Sequence, residues 1–345
     1  MSQPEKNKAF WLSSVNEPAS LVDLPVPSAS PGSVVLQVLA TSINPFTNHV
    51  HAGHILLLNL ILPLVPNPSC IARVHSVGAD AVHLKAWDLV FVDPTVRDGS
   101  LQQFQLENCF LLDDMLLRGD LKYETTNLAV IPFYMVAAGA FIEAANLKAG
   151  ETVVVGPAGG TFGGTAVELA LAVGANVIAL GRDDGRLVKM EENLRSPPRF
   201  QTVPMTGIVN TDTAAILEAT PLKLGVDVYN DWAPGTTKPM YLEAALHSLK
   251  DDGRAILSGG GEGAVEVPYA LAVLRNLTIR GKWMCKPPTI KLLMNLINRG
   301  VVKIGRPGGA VVTTFDLEDS HAAIEHVAQH GRWRNYTVIC PNSSN

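Results

Sequence analysis

The sequence predicts an α/β protein that combines a mostly-β domain with a doubly wound parallel sheet. From about Asn127 onward, strand-like and helix-like segments alternate, which is typical of a parallel sheet covered by helices. A glycine-rich turn at 156–164 joins the first of these strands to the first helix. Before residue 125, short β-like runs are separated by proline, glycine and aspartate turn signals, as in a small barrel or sandwich.

Length and composition are those of a folded chain with about two domains. The chain has 345 residues, of which 47% are hydrophobic and 17% charged. The formal net charge of −5 comes without a basic stripe, so we expect neither nucleic acid nor an anionic membrane as a partner. The most apolar run, residues 55–65, is too short to cross a bilayer.

The N-terminus and the cysteines predict the cellular compartment. Residues 1–11 contain lysines, but no apolar stretch of a signal peptide follows them. The cysteines show no paired spacing, which indicates reduced thiols. They are Cys70, Cys109, Cys285 and Cys340. We therefore expect a cytoplasmic protein.

The individual elements follow from hydrophobic periodicity. In the mostly-β part, strands are predicted at 34–41, 71–77 and 88–92. In the alternating part, strands are predicted at 151–155, 176–181, 226–230 and 254–258, with helices at 162–173 and 240–249. A helix at 289–298 and strands at 311–315 and 336–339 complete the chain.

Residues 277–283, from Leu277 to Trp283, are expected to form the outermost strand of the parallel sheet. An edge strand carries unpaired backbone groups that a second copy of the chain can bind. We therefore expect a homodimer that pairs its subunits at this strand.

The glycine-rich turn contains Ala158-x-Gly160-x-x-Gly163, a variant of the fingerprint that binds the pyrophosphate of a dinucleotide. Small residues let backbone N–H groups approach the pyrophosphate, and the helix N-terminus adds about half a positive charge. Thr161 and Phe162 open that helix and are expected to contact the cofactor. The alternative is a tight turn that packs a helix on a sheet without any ligand.

The end of the second strand predicts which cofactor binds. NAD sites usually place Asp or Glu here, on the ribose 2′-hydroxyl. This chain has Gly181 followed by Arg182, and an arginine can bind a 2′-phosphate by donating charged hydrogen bonds to it. Asp183 and Asp184 are expected to cap the next helix. The predicted cofactor is therefore NADPH.

Further candidates lie where later strands end, since ligands bind at the carboxyl ends of parallel strands. Asn230, Ser258 and Gly259 are predicted to contact the cofactor. For 259–261, a plain turn is the alternative. Tyr134 precedes the first strand of the sheet, and its phenol is a candidate proton donor or a structural group.

Several motifs together resemble the medium-chain dehydrogenase/reductase superfamily, and within it the zinc-free quinone and enoyl reductase-like branch. They lie at 31–38, 42–45, 87–90, 99–104 and 147–153. The resemblance implies a GroES-like catalytic domain at 1–125 and 286–345. It also implies a Rossmann nucleotide domain at 126–285 and an active site in the cleft between the domains.

The departures from the zinc members of that superfamily imply zinc-independent chemistry. Asn44 stands where those members have a cysteine, and Asn-Pro-Ser at 67–69 stands where they have Gly-His-Glu. Hydrogen-bond donors would then stabilise negative charge on a carbonyl oxygen. Asn44 and His49 are the candidate catalytic donors. The resemblance places a relay hydroxyl at Phe46, so that proton relay is broken.

Three histidines, His49, His51 and His54, have a spacing that can bind a metal, but no acidic residue or cysteine lies nearby in sequence. A polar loop is therefore the expectation, and no metal is predicted. Phe46, His51 and Trp283 are the candidate substrate contacts, with the dimer edge as an alternative place for Trp283.

The resulting expectation is an NADPH-dependent, zinc-independent oxidoreductase. It would reduce the activated C=C bond of a small or medium apolar enone, enoyl thioester or quinone by hydride transfer. One alternative is a carbonyl reductase or alcohol dehydrogenase using the same cleft. Another is an NADP-binding protein without redox turnover, either a binding module or a catalyst of non-redox ring closure.

Overall fold

The computed structural model describes residues 6–15, 17–54, 61–67, 69–93, 109–112, 116, 121–194, 198–235, 237–261 and 263–342. The chain divides into two compact units. One comprises Met1–Pro132 and Lys303–Asn345, and the other comprises Phe133–Val302. These boundaries lie at 132/133 and 302/303, whereas the sequence placed them at 125/126 and 285/286. The helix Pro287–Asn298 contacts the helical turn Gly139–Ala144, so it belongs to the second unit.

The strands within the described residues are, in chain order, β1 (Lys6–Trp11), β2 (Ser20–Pro25), β3 (Val34–Ile43), β4 (Cys70–Val77), β5 (Leu89–Val92), β6 (Cys109–Leu111), β7 (Thr152–Gly156), β8 (Asn176–Gly181), β9 (Phe200–Pro204), β10 (Val226–Asp231), β11 (Leu249–Leu257), β12 (Thr278–Gly281), β13 (Val311–Asp316) and β14 (Asn335–Cys340).

The α-helices within the same residues are α1 (Thr47–His51), α2 (Thr125–Leu128), α3 (Ile131–Ala138), α4 (Thr161–Val173), α5 (Asp184–Leu194), α6 (Val209–Ala219), α7 (Leu242–Ser248), α8 (Tyr269–Leu274), α9 (Pro287–Asn298) and α10 (Ser320–His330). A π-helical turn, Gly139–Ala144, continues α3.

The first unit contains an antiparallel hairpin, β1–β2, and a six-stranded sheet in the order β13-β14-β3-β4-β5-β6. Within this sheet β13 and β14 are parallel, and the other neighbours are antiparallel. One core cluster packs α10 against the hairpin and the sheet, through Phe10, Ile43 and Ile324. A second cluster packs β4 against β5, through Val74 and Val90.

The second unit contains a six-stranded sheet, and all of its strands are parallel. Its order, β9-β8-β7-β10-β11-β12, is the 3-2-1-4-5-6 order of a dinucleotide-binding fold. Every residue of β7 is buried, as expected for a central strand covered on both faces. The predicted fold class, a GroES-like mostly-β domain with a Rossmann sheet, is confirmed.

Every predicted strand and helix is found, most with bounds within two residues. The largest difference is β11, which begins at Leu249 rather than at 254. Several elements were not predicted from the sequence, and most of them are short. They are β1, β2, β6, β9, α1, α2, α3, α6, α8 and α10.

The apolar run at 55–65 lies only partly within the described residues, and 55–60 fall outside them, as does the motif at 99–104. Leu62 and Leu64 pack against the core cluster that contains Phe10, while Ile61 and Val65 are exposed. Another segment, Thr125–Ala144, has the length and hydropathy of a membrane span. However, 72% of its most apolar window is buried inside the protein, as in a core helix.

A buried ion pair holds the segment after β12 within the second unit. The Glu143 carboxylate accepts hydrogen bonds from Lys282 Nζ at 2.5 Å and from the backbone N–H of Lys286 at 2.6 Å. The Glu143 and Lys282 side chains are only 13% and 14% exposed. Burial acts to raise the pKa of Glu143, but the hydrogen bonds from Lys282 and Lys286 outweigh it and hold that pKa below its ordinary value.

We expect Glu143→Gln to lower the free energy of unfolding by about 3 kcal/mol at neutral pH, because it leaves the Lys282 charge buried without its partner. The folded-state pKa of Glu143 is depressed. Its contribution is therefore complete above the unfolded pKa and is lost as the pH falls through the folded pKa. Urea denaturation at neutral and acidic pH measures both effects.

The control for this prediction is Glu318→Gln, which breaks the exposed pair of Glu318 with Lys8. It should change stability little, because solvent screens exposed pairs. Equal effects of the two substitutions would contradict the role assigned to Glu143.

Candidate nucleotide-binding site

The glycine-rich turn has the geometry that the fingerprint predicts. β7 ends at Gly156, and α4 begins at Thr161 with Gly160 as its N-cap. No side chain caps this helix, so its first N–H groups have no side-chain acceptor there. A Cβ atom added to Gly160 would meet nothing within 4 Å, whereas one added to Gly163 would lie 2.0 Å from the Pro157 carbonyl oxygen.

These two glycines therefore have different tasks. The space at Gly160 leaves the helix N-terminus open to an anion. The contact at Gly163 lets α4 pack directly on the preceding turn, where any side chain would clash. Ala158 is fully buried, and its N–H donates to the Leu180 carbonyl at 2.8 Å, which ties the turn to β8.

Three buried polar atoms near this turn have no hydrogen-bond partner within the described residues. They are Thr161 Oγ1, Asn230 Oδ1 and Trp232 Nε1. The Asn230 side-chain amide is otherwise fixed, because its Nδ2 donates to Ile256 O at 3.1 Å and to Ser258 Oγ at 3.2 Å. Buried polar groups are nearly always paired, so three exceptions at one edge indicate a place where a polar ligand binds.

Asn230 and Trp232 point to the side of the sheet that α4 covers. Successive strand residues face opposite sides. Tyr229 and Asp231 share one side, because the Tyr229 hydroxyl donates to Asp231 Oδ1 at 2.9 Å. On the other side, the Trp232 ring stacks on Phe162 of α4, with ring centroids 5.9 Å apart and an interplanar angle of 11°.

The segment after β11 also meets the end of β10. A Cβ atom on Gly259 would lie 2.4 Å from the Ala233 carbonyl oxygen, so only glycine fits there. The Ser258 N–H donates to Asp231 O at 3.1 Å. The structure thus brings Asn230, Ser258 and Gly259 together at the carboxyl ends of β10 and β11.

At the end of β8, Arg182 is exposed and follows the half-buried Gly181. Burial raises the pKa of the Tyr241 hydroxyl, and the Arg182 charge acts against that rise. Asp183 caps α5, since its Oδ1 accepts the N–H of Arg186 at 3.1 Å, and Asp184 is the first residue of that helix. The prediction that Asp183 caps the next helix is confirmed.

The predicted catalytic residues of the first unit lie on the short segment around α1. Asn44 and Phe46 are half-buried, and His49 is exposed. The Asn44 carbonyl accepts the N–H of Thr47 at 3.0 Å, which leaves the side-chain amide for other contacts. His51 packs against Phe10, and burial lowers the pKa of its imidazole, with a smaller contribution from His321.

The described residues do not assemble the three protein ligands that a catalytic zinc needs. Across the described ranges, no three His, Cys, Asp or Glu side chains come together. The His49 and His54 rings lie 5.9 Å apart, while His51 is placed against Phe10. Burial raises the pKa of the Cys70 thiol to about 12, which disfavours the thiolate that binds metals. Independence of zinc stays a prediction.

Two other predicted site residues have contacts of their own. The Tyr134 hydroxyl donates to Glu168 of α4, and the ring is buried. This bond favours the structural interpretation of Tyr134 over proton donation. Trp283 is 65% exposed and lies just beyond β12. In the sequence it is far from the buried polar atoms described above.

Sequence reasoning missed Trp232 and Tyr241. The position of Trp232, two residues after Asn230 at the end of the same strand, was a usable signal because alternate residues share a face. Tyr241 lies in no motif. Its ring lies beside Gly156, and that position depends on how α7 packs, which the sequence alone does not indicate.

Comparison with known proteins places the chain in a family. Residues 162–299 match a family model described as zinc-binding dehydrogenase. A quinone oxidoreductase of Pongo abelii is 28% identical over 171 residues, which cover 49% of this chain and 50% of that protein. The match therefore spans about half the length of that relative.

Solved structures are similar over nearly the whole chain. AibC superposes with a TM-score of 0.80 at 18% identity, covering 99% of this chain and 97% of that one. An alcohol dehydrogenase from E. coli CFT073, complexed with NADH, has a TM-score of 0.77 at 18% identity and covers 96% and 98%. The fold, the family model and the relatives all support the medium-chain dehydrogenase/reductase superfamily.

Proposed function

We propose that the protein is an NADPH-dependent, zinc-independent oxidoreductase that reduces an activated C=C bond, in an enone, an enoyl thioester or a quinone. The cofactor part of this proposal depends on one observation. Buried polar atoms of Thr161, Asn230 and Trp232 have no partner among the described residues, at the edge where the uncapped helix α4 begins. A dinucleotide supplies phosphates, hydroxyls and an amide that would pair them.

Each part of the cofactor would be bound by different residues of this edge. The first N–H groups of α4, with Gly160 and Thr161, would hold the pyrophosphate at the positive end of the helix dipole. Asn230 Oδ1 would accept a hydrogen bond from a hydroxyl or amide, and Trp232 Nε1 would donate one. Arg182 would hold the 2′-phosphate, the group that distinguishes NADPH from NADH. When bound, the cofactor supplies the hydride.

At the substrate end, Asn44 and His49 would act as hydrogen-bond donors to the oxygen that gains negative charge. His49 is exposed and is the candidate proton donor. Phe46, His51 and Trp283 stay candidate substrate contacts. The relatives named quinone oxidoreductase support this substrate class.

Reduction of a carbonyl, or oxidation of an alcohol, is the second candidate. Its support is that the family model is described as zinc-binding dehydrogenase and that a structural neighbour is an alcohol dehydrogenase. That neighbour is complexed with NADH, which also makes NADH the alternative cofactor. An NADP-binding protein without turnover is the third.

Cofactor consumption separates these candidates. We expect purified protein to oxidise NADPH with enones, enoyl thioesters or quinones, and to have a lower KM for NADPH than for NADH, because Arg182 pairs with the extra phosphate. Oxidation with ketones or aldehydes alone would favour the carbonyl reductase. Tight NADPH binding without oxidation across the panel would favour the binding protein.

Metal content tests the zinc-independent part. We expect purified protein to contain zinc well below one atom per chain, and activity to survive dialysis against a strong chelator. Stoichiometric zinc whose removal abolishes turnover would contradict the proposal. His54→Ala then serves as a control, because an adventitious histidine site would lose its zinc without loss of activity.

We also propose a homodimer that pairs copies of β12. β12 is the terminal strand of its sheet, and the neighbouring helix α8 is entirely apolar yet has no buried residue. Tyr269 is 83% exposed and Leu274 is 79% exposed. Such a patch beside an open strand edge is typical of a subunit interface.

Sedimentation should give twice the chain mass of 36.9 kDa for the wild type. Leu274→Asp should shift the protein toward the monomer, since it puts a charge into the apolar contact. Leu222→Asp, which changes an 87% exposed leucine elsewhere in the same unit, is the matched control and should leave the mass unchanged. A monomeric wild type would refute the dimer.

A further inference from the structure

Two histidines lie together at the C-terminal end of α10. His326 and His330 are four residues apart in this helix, so their side chains are neighbours on one face. Their ring centroids are 4.7 Å apart, with an interplanar angle of 47°. Aromatic rings that attract each other prefer offset-stacked or edge-to-face arrangements, and this angle corresponds to neither. The helix geometry, rather than attraction between the rings, therefore brings the two imidazoles together.

The helix that carries the pair is held in place by its buried side. Ala323, Ile324 and Val327 are buried in the core cluster that joins α10 to the hairpin and the sheet of the first unit. On the helix surface, His326 is half-buried and His330 is exposed. The pair is therefore presented by a packed helix, with one ring open to solvent.

The half-buried ring of His326 has a polar partner on the neighbouring strand. Its Nδ1 lies 2.9 Å from Thr337 Oγ1, on a buried residue of β14. When the hydroxyl accepts the hydrogen of Nδ1, the lone pair of the ring is on Nε2. Histidines that bind metal ions are typically held in this way, with one ring nitrogen hydrogen-bonded and the other bound to the ion.

The distance between the rings suits one cation bound to both. Imidazole nitrogens bind zinc at about 2.0–2.1 Å, so two imidazoles on one ion, at an angle of about 90–110°, have ring centroids about 4.5–5.2 Å apart. The observed distance of 4.7 Å lies in this range. A cation there would also lie at the C-terminal end of α10, where the helix dipole favours positive charge.

We propose that His326 and His330 form a binding site for one divalent transition-metal ion of the class that imidazole binds well, namely Cu²⁺, Ni²⁺ or Zn²⁺. No third His, Cys, Asp or Glu joins the pair in the part of the chain that the structure describes, so water completes the coordination of the ion. Mg²⁺ and Ca²⁺ prefer oxygen ligands, and this pair of nitrogen donors does not suit them.

Two ligands give a moderate affinity. Structural zinc sites have four protein ligands and bind far more tightly, so for half that number we expect a Kd of about 1–100 µM. An ion held this weakly is lost on dialysis, and the site therefore does not alter the zinc content expected of purified protein. The inference is independent of the proposed function, because neither histidine is assigned to the cofactor or the substrate.

Isothermal titration of the full chain, without an affinity tag, with CuCl₂ and with NiCl₂ tests the inference. We expect one ion per chain in this range of affinity, and no binding of MgCl₂. His330→Gln should raise the Kd at least about tenfold, because it leaves a single imidazole for the ion. His326→Gln should have the same effect. Because His330 is exposed, its substitution leaves the fold intact and keeps the test valid if the His326 variant is unstable.

Electron paramagnetic resonance of the protein loaded with Cu²⁺ gives a second readout. The wild type should show two nitrogen ligands, and His330→Gln should show one. His83→Gln is the matched control, since it removes an exposed histidine of the same unit that is not part of the pair. It should leave the Kd within about twofold of the wild-type value.

Two outcomes would overturn the inference. One is the absence of Cu²⁺ and Ni²⁺ binding at concentrations up to about 1 mM. The other is binding that both His326→Gln and His330→Gln leave unchanged. If His54→Ala then abolishes that binding, the ion lies at His49 and His54, whose rings are 5.9 Å apart, and not on α10. Neither outcome affects the proposed cofactor site, which NADPH titration tests separately.

Discussion

Helix α4 and the turn before it touch backbone to backbone at Gly163, and the nucleotide-binding edge depends on this contact. With 2.0 Å between an added Cβ and the Pro157 carbonyl oxygen, no other residue lets the helix begin so close to β7. The close start aims the first N–H groups of α4 at the sheet edge. It also places Phe162 where its ring stacks on Trp232 at the end of β10.

The second constraint is that β7 and β10 are almost entirely buried, so a polar side chain on them needs a hydrogen-bond partner. Asn230 is fully buried, and its amide nitrogen is satisfied by Ile256 and Ser258 while its oxygen is not. Leaving such an atom without a partner is costly, on the order of 1–3 kcal/mol. Under the proposed function, a cofactor bound near the open helix N-terminus would recover this cost.

Sequence reasoning reached the features that are encoded locally. The strand at Asn176–Gly181 was placed to the residue, because its apolar run is bounded by turn residues, and the roles of Gly160 and Gly163 follow from their spacing. The domain boundary was displaced because the periodicity of residues 287–298 shows that the helix is amphipathic, not which unit covers it. Trp232 and Tyr241 were missed because their importance arises from packing between segments distant in sequence.

At the end of β8, two adjacent residues have side chains that suit different cofactors, one a 2′-phosphate and the other a ribose hydroxyl. Arg182 and Asp183 are adjacent: the Arg182 side chain is exposed, and the Asp183 side chain turns back to cap α5. The cap occupies the carboxylate that would otherwise compete for a ribose hydroxyl. Under the proposed function, cofactor choice would depend on which of these two neighbouring side chains faces the ribose. The start of the following helix is then as much a part of molecular recognition as the arginine itself.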